Sequence, residues 1–324
     1  MTNSEETKTE GTQTNAIPFT VWLDPAYIEY VRTGILVLVF LLTMWARNRR
    51  TWILVEMVAV FVFGIAFMFI PKRVLGFQVD RKFVMDDFLT MVASTFGSVM
   101  LGSAIASFFL RKSTDNYTQV MLLATRIVGN GALLIGMAVA RDQSAYFNDK
   151  FAHFSIVGVL LWTLGSGLYF LSAKNYGGHT QLDSWLNLHL RIDFFLTLMF
   201  ALIWYAYPAT VLRMHGISDS MTDVHIFVAQ SVGSVMFTSA ILSAVAPGFM
   251  FQEDKRNVLL ARILTILLIV VTSLSSVDHS DISKTAMLAH LVGVAWIINA
   301  GLGYLAPHET DGYWSGRKKA NKKE

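Results

Sequence analysis

The chain has 324 residues, of which 54% are hydrophobic and only 15% charged, with mean hydropathy +0.49 and formal net charge +3. That balance excludes an ordinary soluble pair of domains, and no nucleic-acid partner is expected. The absence of cysteine excludes disulfides, thiolate metal sites, cysteine nucleophiles and palmitoylation.

Residues 1–26 form a polar tail without the apolar core of a signal peptide, and disorder is expected there. Beyond it come stretches long and apolar enough to cross a hydrocarbon core, which must then be helices. They fall near 28–46, 52–70, 87–110, 118–140, 151–172, 188–207, 223–247, 257–277 and 285–306. The first, within an extra N-terminal segment 27–50, carries Glu29 and Arg32 in its opening turns. It fits either a span or, at its start, an interfacial helix. The segment AKNYGGHTQLD within 173–187 reads as a linker, and 307–324 as a basic tail with Arg317, Lys318, Lys319, Lys322 and Lys323. Such a tail suits an anionic lipid surface, or simply sets topology.

The chain repeats itself. ASTFGSVMLGSAIAS at 93–107 and AQSVGSVMFTSAILS at 229–243 share nine of fifteen positions at an offset of 136 (229 − 93). The match continues outward: Pro71 with Pro208 and Glu56 with Asp193 at 137, Asp87 with Asp223 and Arg126 with Arg262 at 136, His153 with His290 at 137, and Trp162 with Trp296 at 134. Each copy holds four spans, 51–172 and 188–306. An even number of spans returns the chain to the same side, so the copies should be parallel, related by an axis along the membrane normal. The expected fold is therefore all-α: a polytopic transmembrane bundle of about nine spans, two parallel four-helix repeats plus one N-terminal span. Arg47, Arg49, Arg50, Arg111, Lys112, Lys174, Lys255 and Arg256 then share one side, against Lys72, Arg73, Arg81 and Lys82 on the other, and the positive-inside bias makes the first side cytoplasmic together with the C-terminus.

Three groups of duplicated residues are candidates for function. Ala93 and Gly97, with Ala229 and Gly233, put small residues four apart, a pattern that lets helix backbones approach. Packing is the plain reading, and a glycine-lined solute path the functional one. Glu56 and Asp193 lie early in their spans, and Arg126 and Arg262 enter from the same side. Arg126 sits roughly 12 Å deep. An unpaired charge there costs on the order of 3 kcal/mol or more, so pairing of Glu56 with Arg126 and of Asp193 with Arg262 is expected. Such pairs serve either as clamps or as a polar site for an ion or solute. Lastly, His153 and His290 begin spans on the opposite side, where Asp87 and Asp223 also lie. They read as interfacial anchors or as titrating groups in contact with those acids. Haem ligation by the two histidines would require their spans to face each other; no cofactor and no metal are expected.

Each copy runs from an apolar span ending in proline (Pro71, Pro208) to a Gly/Ser-rich span (GSVMLGSAIAS, GSVMFTSAILS), a polar hairpin and two further spans. This layout resembles small four-span membrane proteins of the DoxX-like kind, here doubled. The resemblance implies a fold and brings no catalytic residues with it. A structural or accessory role through helix packing, lipid contact and a membrane partner or second copy is the first functional expectation. A transporter or channel using the acid–arginine pairs is the second. A redox or enzymatic role is remote, because no catalytic motif occurs.

Overall fold

A computed structural model describes residues 25–79, 83–144, 146–173, 176–179, 184–214, 221–276 and 284–307. The polar N-terminal tail as far as residue 24, most of the basic C-terminal tail and part of the linker lie outside the described residues. These residues contain no β-strand; a single backbone bridge joins Val79 to Phe147. Within them eleven α-helices follow in order: α1 (Pro25–Ala46), α2 (Arg49–Phe69), α3 (Pro71–Gly76), α4 (Asp87–Leu110), α5 (Asn116–Gln143), α6 (Asp149–Leu171), α7 (Trp185–Ala206), α8 (Pro208–Met214), α9 (Asp223–Val245), α10 (Gln252–Ser276) and α11 (Lys284–Tyr304). Seven of them are long and apolar enough to cross a membrane: α2, α4, α5, α6, α7, α9 and α10. In α1 and α11 the apolar described stretches are shorter, Thr33–Ala46 and His290–Tyr304.

Local chemistry sets the ends of these helices. α2 stops before Pro71 and α7 before Pro208, since proline lacks the N–H that would continue the ladder. Each proline opens a short helix instead. Arg47 turns the chain from α1 into α2 with φ of 47°, a left-handed conformation costly for a residue with a Cβ. Side-chain oxygens cap the next starts: Asp86 accepts from Leu89 N at 2.6 Å, Asp115 from Tyr117 N at 3.0 Å and Ser184 from Asn187 N at 3.2 Å.

α4 and α9 are the most buried of the seven long apolar helices and pack on each other. The small residues explain why. A Cβ on Gly97 would lie 2.7 Å from the Gly64 carbonyl oxygen, and one on Gly233 would lie 2.7 Å from Tyr205 N. Backbones of α4 and α2, and of α9 and α7, thus meet where only glycine fits. Ala93 and Ala229 are fully buried on the same two helices.

The halves 51–172 and 188–306 are not two bundles side by side. α5 of the first packs mainly on α9 of the second and on α6, while α10 of the second packs mainly on α4 of the first and on α11. Core residues of both halves therefore mix: Phe67, Val92 and Phe96 pack in one apolar cluster with Val228, Ile266 and Trp296.

Candidate functional site

Both acid–arginine pairs are buried, and they differ in how the acid is held. Asp193 on α7 is completely buried. Its Oδ1 accepts from Arg262 Nε at 2.9 Å and from Trp296 Nε1 at 2.7 Å. Its Oδ2 accepts from Ser243 Oγ at 2.5 Å and from the same Arg262 Nε at 3.2 Å. Helices α7, α9, α10 and α11 thus converge on one carboxylate, and Arg262 also lies over the Trp296 ring, 5.4 Å from its centroid. The acceptor sites are filled, which is the arrangement a buried charge requires.

Glu56 on α2 is equally hidden but loosely held. Arg126 Nε stands 3.8 Å from Oε1, and Ser166 Oγ donates to Oε2 at 3.4 Å. Arg126 is bound instead by α4: Nη1 donates to Ser103 Oγ at 2.8 Å, and Nη2 to Ser107 Oγ at 2.8 Å and to the Ser103 carbonyl at 3.1 Å. The serines of the first Gly/Ser-rich helix are thus polar partners of Arg126 as well as small residues, whereas in the second Ser243 donates to Asp193 and only the Ser239 carbonyl, at 3.2 Å, accepts from Arg262. Sequence reading named no partner for their hydroxyls. Their spacing of four, lined up with the arginine of the next helix, was the available signal.

The difference has a side-chain cause. Trp296 stacks on Phe200, with centroids 5.3 Å apart, and points its N–H at Asp193. Trp162, its match in the repeat, lies against Trp52, with centroids 5.1 Å apart, and Trp52 Nε1 donates to Ser166 at 3.1 Å. Position 52 matches His189 (189 − 52 = 137), whose Nδ1 instead pairs with Asn299 Oδ1 at 2.9 Å. Two size changes accompany this. Ala59 occupies the place of Leu196, at offset 137, and Asn130 that of Ile266, at offset 136.

On the Glu56 side a cavity of about 160 Å³ results. Glu56, Ala59, Val60, Phe63 and Phe67 face it along α2 at helical spacing, and α9 contributes Phe227, Val228 and Ser231. Asn130, one turn beyond Arg126, and Trp162 complete the polar end. At the far end Gln78, Met137, Ser155 and Phe227 are shared with a smaller cavity of about 20 Å³ that reaches Arg141, in the last turn of α5. From Glu56 to Phe67 the slot runs roughly 16 Å along the helix. Removing one indole N–H from each half should expose the contrast. Trp296→Phe is expected to cost about 1.5–3 kcal/mol, the range for a hydrogen bond to a charge. Trp162→Phe is expected to cost less, and thermal melting of the purified variants measures both.

The other candidates lie elsewhere. Asp87 pairs with Lys72 at 2.9 Å on the surface, and Asp87 and Asp223 each occupy the first turn of a helix, where negative charge complements the helix dipole. His153 is exposed on α6, and His290 is half-buried on α11. The histidine–aspartate contact on this side joins other residues: His225 Nε2 meets Asp86 Oδ2 at 2.9 Å, tying the starts of α9 and α4 together. Thr222 N donates to His225 Nδ1 at 3.3 Å, so Nε2 carries the proton toward Asp86. Thr222 three residues before His225 resembles a capping box with histidine in the glutamate's place, a signal that sequence reading passed over.

At the opposite end Arg49 donates to Asn116 and Gln119, while Ser113 Oγ donates to Asp254 at 2.5 Å and Met250 N to Asp115 at 3.1 Å. Lys255, read from sequence as a topology-setting charge, is buried there and donates to Asn187 Oδ1 at 3.3 Å. Among the described residues no group of three or more His, Cys, Asp or Glu side chains is placed to hold a metal ion.

The fold and site together define a helical bundle with long apolar helices, built around two buried carboxylate–arginine pairs, one closed and one opening on a cavity. The chain belongs to the family described as Domain of unknown function (DUF8292), whose match covers residues 54–305 and so runs through both halves. No curated protein and no solved structure matches the chain.

Proposed function

We propose that this is a multi-pass membrane protein of nine spans, built from two duplicated and interlocked halves, that takes a small solute into its interior beside Glu56. The unequal treatment of the two matched acids carries this reading. Asp193 has its acceptor sites filled by protein and is a clamp that fixes helix register. Glu56, at the matching position, is held at longer range and lines a cavity. Ionisable groups inside a membrane protein mark functional sites by default, and this one faces space rather than packed side chains. The long slot toward Gln78 and Arg141 supplies a path toward the opposite end of the bundle.

Support for the duplication comes from reciprocal packing. A Cβ on Gly102 would meet Thr265, and one on Gly129 would meet Thr238. Gly102 matches Thr238 and Gly129 matches Thr265, both at offset 136, so the α4–α10 contact repeats as α9–α5. A two-fold axis between α4 and α9 produces this exchange. Basic residues gathered near the Arg49–Gln119 end favour that end as cytoplasmic.

Water access tests the reading in a chain that has no cysteine of its own. In liposomes, Ala59→Cys is expected to react with a small water-soluble methanethiosulfonate at least tenfold faster than Leu196→Cys. Equal, slow labelling of both positions would sink the solute-site reading.

A further inference from the structure

The cavity beside Glu56 has a chemistry more specific than its volume. We infer that its occupant is a small uncharged molecule with a mainly apolar, ring-sized body and one hydroxyl or N–H donor, such as a phenol or a simple aromatic alcohol. This rests on the reading of the cavity as a solute site.

Three observations set the class. First, size: an apolar cavity of about 150 Å³ accommodates benzene, and this one holds about 160 Å³. Phe63, Phe67, Phe96 and Phe227 on its wall suit an aromatic ring, which they can meet edge to face. Second, charge: Glu56 and Arg126 together are neutral. An organic cation entering here would meet a carboxylate already paired with Arg126, and an anion would meet the carboxylate itself. Either would lose its hydration without gaining an uncompensated counter-charge. Third, acceptor capacity: a carboxylate offers about four lone-pair directions. Among the described residues Glu56 receives one hydrogen bond, from Ser166 at 3.4 Å, and an arginine at 3.8 Å. Trp296 and Ser243 fill the matching directions at Asp193. The vacant acceptor positions at Glu56 call for a donor, and the neutral environment calls for a donor without charge.

An isosteric probe series decides it. Benzyl alcohol, toluene, benzylammonium and benzoate are offered by equilibrium dialysis to the full chain in lipid nanodiscs, with protein-free nanodiscs subtracting partition into lipid. Benzyl alcohol is expected to bind saturably, at least tenfold more tightly than toluene and than either ion. Glu56→Met combined with Arg126→Met, which removes both charges together, should erase the preference over toluene. Ala59→Phe should abolish saturable binding while the protein still melts cooperatively. If toluene binds as well as the alcohol, if an ion binds best, or if the double variant keeps the preference, the proposed class is wrong while the cavity stands as a solute site. If no probe binds saturably, or Ala59→Phe leaves binding intact, both readings fall. Should the double variant not fold, the four-probe comparison on the unaltered chain decides alone.

Discussion

Asp193→Asn is expected to destabilise the protein by about 3–5 kcal/mol, the usual cost of removing one partner from a buried ion pair. Glu56→Gln is expected to cost less, about 1.5–3 kcal/mol, the range for a hydrogen bond to a charge. The chemistry is the same, and the surroundings make the difference. Around Asp193 three side chains, Arg262, Trp296 and Ser243, donate hydrogen bonds at 2.5–3.2 Å. An asparagine amide would turn its NH₂ against at least one of them, and Arg262 would lose its counter-charge. A glutamine in place of Glu56 would face only Ser166 and the distant Arg126, with the cavity free to receive its amide. Arg126 would keep its three bonds to Ser103 and Ser107. Thermal unfolding and monodisperse yield in detergent give the comparison. Equal losses for the two variants would show that both acids are clamps and would remove the basis for a site at Glu56.

What the sequence disclosed and what it hid follow from the range of the forces involved. Apolar length is a local property, so the helices could be read from residues alone. Pro71 and Pro208 marked their breaks for the same local reason. The acid–arginine partners were legible because charge in a membrane demands a counter-charge, and duplication singled out which residues to pair. The inequality of the two sites was not legible, because it depends on packing. Trp162 lies against Trp52 whereas Trp296 reaches Asp193, and alanine stands at 59, on the cavity wall, where leucine stands at 196. Neither is a periodic signal. His225 escaped attention because it has no counterpart in the first copy, where Leu89 stands. The exchange of α5 and α10 between halves was hidden for a further reason. Apolar helices do not encode in their hydropathy which apolar neighbour they face, and that choice rests on small residues such as Gly102 and Gly129.

That exchange gives the second large effect, an all-or-none one. Ser98 Oγ on α4 and Thr272 Oγ1 on α10 are 3.4 Å apart, although 174 positions separate them. Cysteines at both places would face each other across the two helices for oxidative cross-linking, in a chain where no other thiol competes. With a protease site placed in the polar linker between the halves, oxidation followed by cleavage should leave a single band on a denaturing gel, which reductant splits into two. Ser98→Cys alone should give two bands throughout. Two bands from the oxidised double variant would mean that α10 packs within its own half and that the interlocking is wrong. The outcome bears on the site as well as the fold. Phe227, Val228 and Ser231, on α9 of the second half, wall the cavity that Glu56 of the first half faces. Ser243, further along the same helix, donates to Asp193, so α9 links the closed pair of one half to the cavity wall of the other.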